Sequence, residues 1–128
     1  MSFEAPPNTP VIVTPANESF ARIIELGLHD MKPLGSMGLK LMEEVGEFAE
    51  TLNHRLGYLP HKTMKETPFG EAADVIQNVF ACLAKAYPQL SPSQIIHEVE
   101  HQLVVKTDKW QRIMVETGMF DVHVVIDQ

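Results

Sequence analysis

The 128-residue chain has one cysteine, one tryptophan and few aromatic residues of any kind, 7% in all. A lone thiol excludes an internal disulfide, and Cys82, set in an apolar helical run, reads as a small core residue rather than a nucleophile. With so few rings, the core must come from Leu, Ile, Val, Ala and Met. No apolar stretch approaches the roughly 20 residues that a bilayer-crossing helix needs, so no membrane partner is expected. The opening MSFEAPPNTP lacks the basic and apolar regions of a secretory signal, and the cytoplasm is the expected location. Positive charge is scarce too. Ten Lys and Arg against 17 Asp and Glu give a formal net charge of -7, which argues against binding to polymeric nucleic acid and leaves room for a small phosphate ligand carried with a metal ion. Internal repeats and low-complexity segments are absent.

What the chain does have is helical patterning. Hydrophobic residues make up 45%, ordinary for one globular domain. Residues 1–17 hold four prolines and read as an extended arm, with Val11-Ile12-Val13 as a candidate short strand. Asn17 or Ser19 is placed to cap a first helix that runs to about Asp30, where Lys32-Pro33 and Gly35 break it. A second helix is expected from about Ser36 to Leu56, with Met42, Val45, Ala49, Leu52 and Leu56 as its inward stripe and Leu41 and Phe48 beside it. A loop over 57–66 follows. Thr67-Pro68 supplies a capping hydroxyl and a first-turn proline for a third helix, whose apolar arc takes in Ala72, Val75, Ile76, Val79, Phe80 and Leu83 and which Pro88 ends. Ser91-Pro92 repeats the start signal. The fourth helix should reach about Thr117, with Gly118 as its stop and Ile96, Val99, Leu103, Trp110 and Ile113 facing inward. The tail FDVHVVIDQ alternates like a strand and could pair with the Val11 segment. The expected fold is all-α, a four-helix core over residues 18–118, flanked by the arm (1–17) and the tail (119–128).

Two carboxylate pairs stand out on this frame, Glu44-x-x-Glu47 and Glu71-x-x-Asp74. Spacing of i, i+3 puts both acids of a pair on one side of a helix. Acids on helices are usually solvated surface, and Glu43 and Glu50 fit that reading. At about 100° per residue, however, Glu44 and Glu47 share an arc with Lys40 and Thr51, and Glu44 borders the apolar stripe beside Phe48. On the third helix Glu71, Asp74 and Asn78 cluster beside the apolar arc in the same way. Both sets therefore border the seam where the two helices should pack. Four convergent carboxylates repel one another unless a hard cation lies between them. Magnesium suits an oxygen-only site, and its usual companion is a phosphate chain.

The string Lys40-Leu41-Met42-Glu43-Glu44-Val45-Gly46-Glu47-Phe48-Ala49-Glu50, followed by Glu71-Ala72-Ala73-Asp74-Val75, resembles the EExxE and ExxD segments of the MazG-like all-α nucleoside triphosphate pyrophosphohydrolases. The resemblance covers roughly residues 36–115, and the 23 residues between Glu47 and Glu71 fit the family's usual separation. It implies magnesium, with manganese as a possible substitute, held by Glu44, Glu47, Glu71 and Asp74. It also implies that Glu43 orients water, and that one carboxylate, Glu47 or Glu44, takes a proton from the water attacking the α-phosphorus as pyrophosphate leaves. The substrate class would be a nucleoside triphosphate and the assembly a homodimer or homotetramer. Dimeric dUTPases and phosphoribosyl-ATP pyrophosphohydrolases share this logic, so the resemblance leaves the base open.

A triphosphate also needs donors. Lys106 falls in the apolar stripe of the fourth helix beside Trp110, where it either snorkels outward or points into a cleft. Lys109 and Arg112, in Lys109-Trp110-Gln111-Arg112, resemble the lysine–aromatic–x–arginine element near the end of the MazG-like core and are candidate phosphate contacts. Lys40 is four residues before Glu44 and either forms an intrahelical ion pair or meets phosphate. Lys62 and Lys65 lie in the loop between the acidic helices and could fold over a bound nucleotide. Asn78, one turn beyond Asp74, is a candidate sugar or base contact or a satisfied boundary residue. Trp110 reads as core before it reads as a base-stacking platform. His97-Glu98-Val99-Glu100-His101 matches the HExxH pattern of zinc peptidases, but no extended metzincin string follows and these residues lie off the apolar stripe, so it reads as a chance match. Two other readings stay open: phosphoribosyl-ATP pyrophosphohydrolase or a related nucleotide hydrolase, and a non-catalytic helical module that keeps its acids for metal or partner binding.

Overall fold

The computed structural model describes residues 15–121. The Val11-Ile12-Val13 segment and all but the start of the FDVHVVIDQ tail lie outside these residues. The described chain is all-helical, with four helices and no strand: α1 (Pro15–His29), α2 (Leu34–Arg55), α3 (Pro68–Ala86) and α4 (Pro92–Glu116). It divides after Ile95 into two units. The first contains α1, α2, α3 and the opening turn of α4. No helix among the described residues is long and apolar enough to cross a membrane.

Local chemistry explains the ends of these helices. Pro15 opens α1 slightly earlier than the Asn17 or Ser19 cap would place it, a first-turn position that costs proline no hydrogen bond. Extended backbone at Pro33 starts α2 at Leu34, so Gly35 lies inside the helix rather than breaking the chain. Gly57, at φ 85°, ends α2: its amide bonds the His54 carbonyl and that of Tyr58 bonds Asn53, both at 3.0 Å, the left-handed glycine stop that frees no carbonyl. Gly118 does the same for α4, with Met119 N to Met114 O at 2.8 Å. The Thr67 hydroxyl accepts from Gly70 N at 3.2 Å to cap α3. At α4, Ser91 Oγ accepts from Gln94 N while Gln94 Oε1 accepts from Ser91 N, a reciprocal capping box.

Helix α3 lies at the centre of the first unit, packed against α1 and against α2. The α1 seam is apolar. Phe20 stacks on Phe80 with ring centroids 4.6 Å apart, and Ile24, 2% exposed, and Ala84 complete the contact. A Cβ at Gly27 would lie 2.5 Å from Ala81 Cα, so the backbones meet too closely for any side chain there. Lys85 donates to the Asp30 carbonyl and ties the end of α1 to α3.

Helix α2 packs by a different face from the one its hydrophobic stripe predicts. Met42 (71% exposed), Val45, Leu52 and Leu56 are all exposed. The covered face instead runs through Met37, Leu41, Glu44, Phe48 and Thr51, an i, i+4, i+7, i+11, i+14 series. On α3 Ile76 is likewise exposed, while Glu71 is buried. The acids therefore do not border the helix seam; they are part of it. On α4 the expected inward stripe is also open from Leu103 onward: Leu103, Trp110 (66% exposed) and Ile113 are exposed. Trp110 is thus not a core residue among those described. The physical reason is common to both helices: within its own unit, no described residue covers either apolar arc.

Candidate metal centre

The local sequence puts two acids on each of two neighbouring helices. Glu44 and Glu47 are a turn apart on α2, and Glu71 and Asp74 a turn apart at the start of α3. Because α2 and α3 pack together, the pairs face across the seam. Glu44, Glu47 and Glu71 each offer a carboxylate oxygen within 4.8 Å of the others. A second set with the same closeness is formed by Glu66, Glu71 and Asp74. Among the described residues these are the groups of histidine, cysteine and acid that could hold a metal. His97 and His101 of the HExxH string belong to neither and lie exposed on α4.

Burial sharpens the cluster. Glu44 is 6% exposed and Glu71 7%, and one oxygen of each, Oε2, is buried with no hydrogen-bond partner among the described residues. Buried polar atoms are nearly always paired, so two orphans facing one seam call for an explanation. The other Glu44 oxygen, Oε1, meets Lys40 Nζ at 3.1 Å, and Lys40 also reaches Glu43 at 3.5 Å. The intrahelical ion pair expected of Lys40 is therefore formed. Contact with Glu44, then the charge of Glu43, pushes the Lys40 ammonium pKa up. Glu43 itself is exposed on the flank. Thr51 is buried but satisfied, its hydroxyl donating to the Phe48 carbonyl at 2.6 Å.

The electrostatics are those of a site short of positive charge. Burial, then the Glu44 and Glu43 charges, raises the Glu47 pKa. Burial, then the charges of Glu47, Glu66 and Asp74, raises that of Glu71. Glu66 is raised first by hydrogen bonding with the Asp74 carboxyl and then by its charge. The donor set, carboxylate oxygens alone, suits a hard cation such as Mg²⁺, and the two orphaned oxygens are acceptors of the type such an ion fills. The residues fit a divalent metal.

The remaining candidates are distributed unevenly. Asn78 is half-buried, donates to the Asp74 carbonyl at 2.8 Å, and lines a cleft of about 250 Å³ with Leu26, Gly27, Asp30 and Gln77. Asp30 is held below its ordinary value, chiefly by the Lys32 backbone amide. Lys62 pairs with Glu50 on the flank of α2, and Lys65 is exposed. Lys106, Lys109 and Arg112 are exposed on the part of α4 that belongs to the second unit. Cys82 is half-buried, its thiol pKa pushed up by burial, which makes it a poor nucleophile. Glu66 is the residue that the sequence did not single out. It sits in the irregular link before Thr67, where helical periodicity gives no signal.

No family model, no curated protein and no solved structure matches this chain.

Proposed function

We propose that the protein is a divalent-cation-dependent nucleoside triphosphate pyrophosphohydrolase of MazG-like type, converting a (deoxy)nucleoside triphosphate and water to the monophosphate and pyrophosphate. One observation carries the reading: the orphaned, buried carboxylate oxygens of Glu44 and Glu71, which belong to two packed helices and to one cluster of acids. A cluster built for stability would not put unmatched acceptors in a helix seam while leaving apolar side chains of the same helix outside it.

Glu44, Glu47, Glu71 and Asp74 would hold the ion, and when bound Mg²⁺ would supply charge neutralisation for the triphosphate oxygens and the departing pyrophosphate. The chain's own residues do the rest. Lys40 fixes Glu44 through its Oε1, leaving the other oxygen directed into the cluster. Glu47, less buried than Glu44, is the better placed of the two to accept a proton from water attacking the α-phosphorus, with its basicity raised by burial and neighbouring charge. Glu43 is left to orient that water. Asn78 and the adjoining cleft offer a place for sugar or base. The family resemblance makes Lys106, Lys109 and Arg112, on the second unit, candidate phosphate contacts. The exposed apolar arcs of α2 and α4 support a homodimer or homotetramer in which such faces are covered.

The test is a pyrophosphate-release assay over the common ribo- and deoxynucleoside triphosphates, with Mg²⁺, with Mn²⁺ and with chelator. The expected result is cation-dependent release of equal amounts of monophosphate and pyrophosphate from at least one nucleotide. Absence of pyrophosphate release from every nucleotide in Mg²⁺ and Mn²⁺ would reject the hydrolase.

A further inference from the structure

The two carboxylate sets overlap at a single residue. Glu44, Glu47 and Glu71 gather within 4.8 Å of one another, and so do Glu66, Glu71 and Asp74. Glu71 belongs to both, and its Oε2 is buried without a partner. We propose that Glu66 is a fifth cation-holding carboxylate, closing with Glu71 and Asp74 a second divalent-ion position beside the one formed by Glu44, Glu47 and Glu71. The proposal rests on the reading of the cluster as a cation site and extends it to a residue outside both helical acid pairs.

Two observations carry it. First, Glu66, though exposed, folds back over the first turn of α3. Its Cβ, Cδ and Oε2 lie 3.4–3.5 Å from where a Cβ on Gly70 would stand, an ordinary contact distance, and the path of its side chain leads to the carboxylates of Glu71 and Asp74. Second, the far end of that path is a carboxylate 93% removed from solvent with an unfilled acceptor.

There is a consequence for the link between α2 and α3. Glu66 is adjacent to Thr67, whose hydroxyl caps α3. An ion at the second position fastens the end of the link to the helix it precedes, so that occupancy steadies the start of α3 and the acids it carries.

The experiment is Mn²⁺ titration calorimetry on the full chain, wild type against Glu66→Gln and Glu66→Asp, paired with thermal melts in chelator and in Mg²⁺. Wild type should take up two ions per chain. Glu66→Gln should lose one of them or weaken it by about 10- to 100-fold, with Glu66→Asp intermediate. In chelator Glu66→Gln should melt at or above wild type, because a repelling charge is gone, and it should gain less from Mg²⁺. If wild type binds Mn²⁺ and Glu66→Gln binds it with the same number and affinity, the fifth-ligand assignment is overturned while the cation site stands. If wild type binds no divalent ion, the site itself fails, and this proposal with it.

Discussion

Helix α3 presents two seams, and they are built on opposite principles. Toward α1 it offers Phe80, Ala81 and Ala84, and receives Phe20, Ile24 and the bare backbone of Gly27. Its centre is apolar and close, with the Lys85 bond to the Asp30 carbonyl at its end. Toward α2 it offers Glu71, and receives Glu44 with Thr51 one helical face below. One seam gains free energy from excluding water. The other gives some of it up by burying one oxygen each of Glu44 and Glu71 that has no partner among the described residues. A protein retains such a seam when the missing partner arrives from outside, which is why the acidic side is read as the working side and the apolar side as its support.

The comparison breaks most severely at Phe80. Phe80→Ala removes a buried ring stacked on Phe20 and should destabilise the chain by about 3–5 kcal/mol in denaturant melts; a loss below 1 kcal/mol would mean that the α1 seam is not the core. On the acidic side Glu47→Ala and Asp74→Ala should each lower cation-dependent turnover by about 100-fold or more, beyond what loss of an outer-shell partner costs, with the helical circular dichroism spectrum unchanged. Full activity in both variants would refute the hydrolase reading. Gly27→Ala comes next. Its new methyl would strike Ala81 backbone, and the helices must part at an expected cost of about 1–3 kcal/mol, measurable by thermal or chemical melting and unaffected by Mg²⁺.

The smallest effect concerns pH and carries a definite sign. Glu47, Glu66 and Glu71 all sit above the ordinary carboxyl value of 4.5 in the folded, metal-free chain. Between that value and their raised ones the folded state holds more protons than the unfolded chain. Their contribution to stability is therefore complete below about 4.5 and is lost as pH rises through the raised values. Metal-free melting temperature should fall over that window, Mg²⁺ should reverse the fall by replacing protons, and Glu71→Gln should flatten the slope. A metal-free protein whose stability rises over the same window, with no response to Glu71→Gln, would contradict the picture of a seam short of positive charge.

Much of the architecture was legible beforehand because it is set by neighbours in the chain. Thr67-Pro68, Ser91-Pro92 and Gly118 act within four or five residues of themselves, and the helix ends they mark stand where capping chemistry puts them, within a few residues. The i, i+3 spacing of Glu44 with Glu47 and of Glu71 with Asp74 is equally local, and it was enough to raise the question of a cation. Lys40 could be paired with Glu44 on the same grounds.

What the sequence alone could not decide was which side of each helix turns inward. Hydrophobic periodicity assigns the inward side of α2 to Met42, Val45 and Leu52, yet the tertiary structure covers Glu44 and Thr51 and leaves those apolar residues open. Periodicity reports where apolar surface lies around a helix, not which face meets the neighbouring helix. Glu66 was hidden for a related reason: a residue in an irregular link has no repeat to betray its direction, and only the tertiary structure brings its carboxylate to the others. Composition and local spacing determined that this chain is helical and carries two acid pairs. The docking of one helix on another decided that the pairs meet, that two of their oxygens lose water, and that a fifth acid joins them.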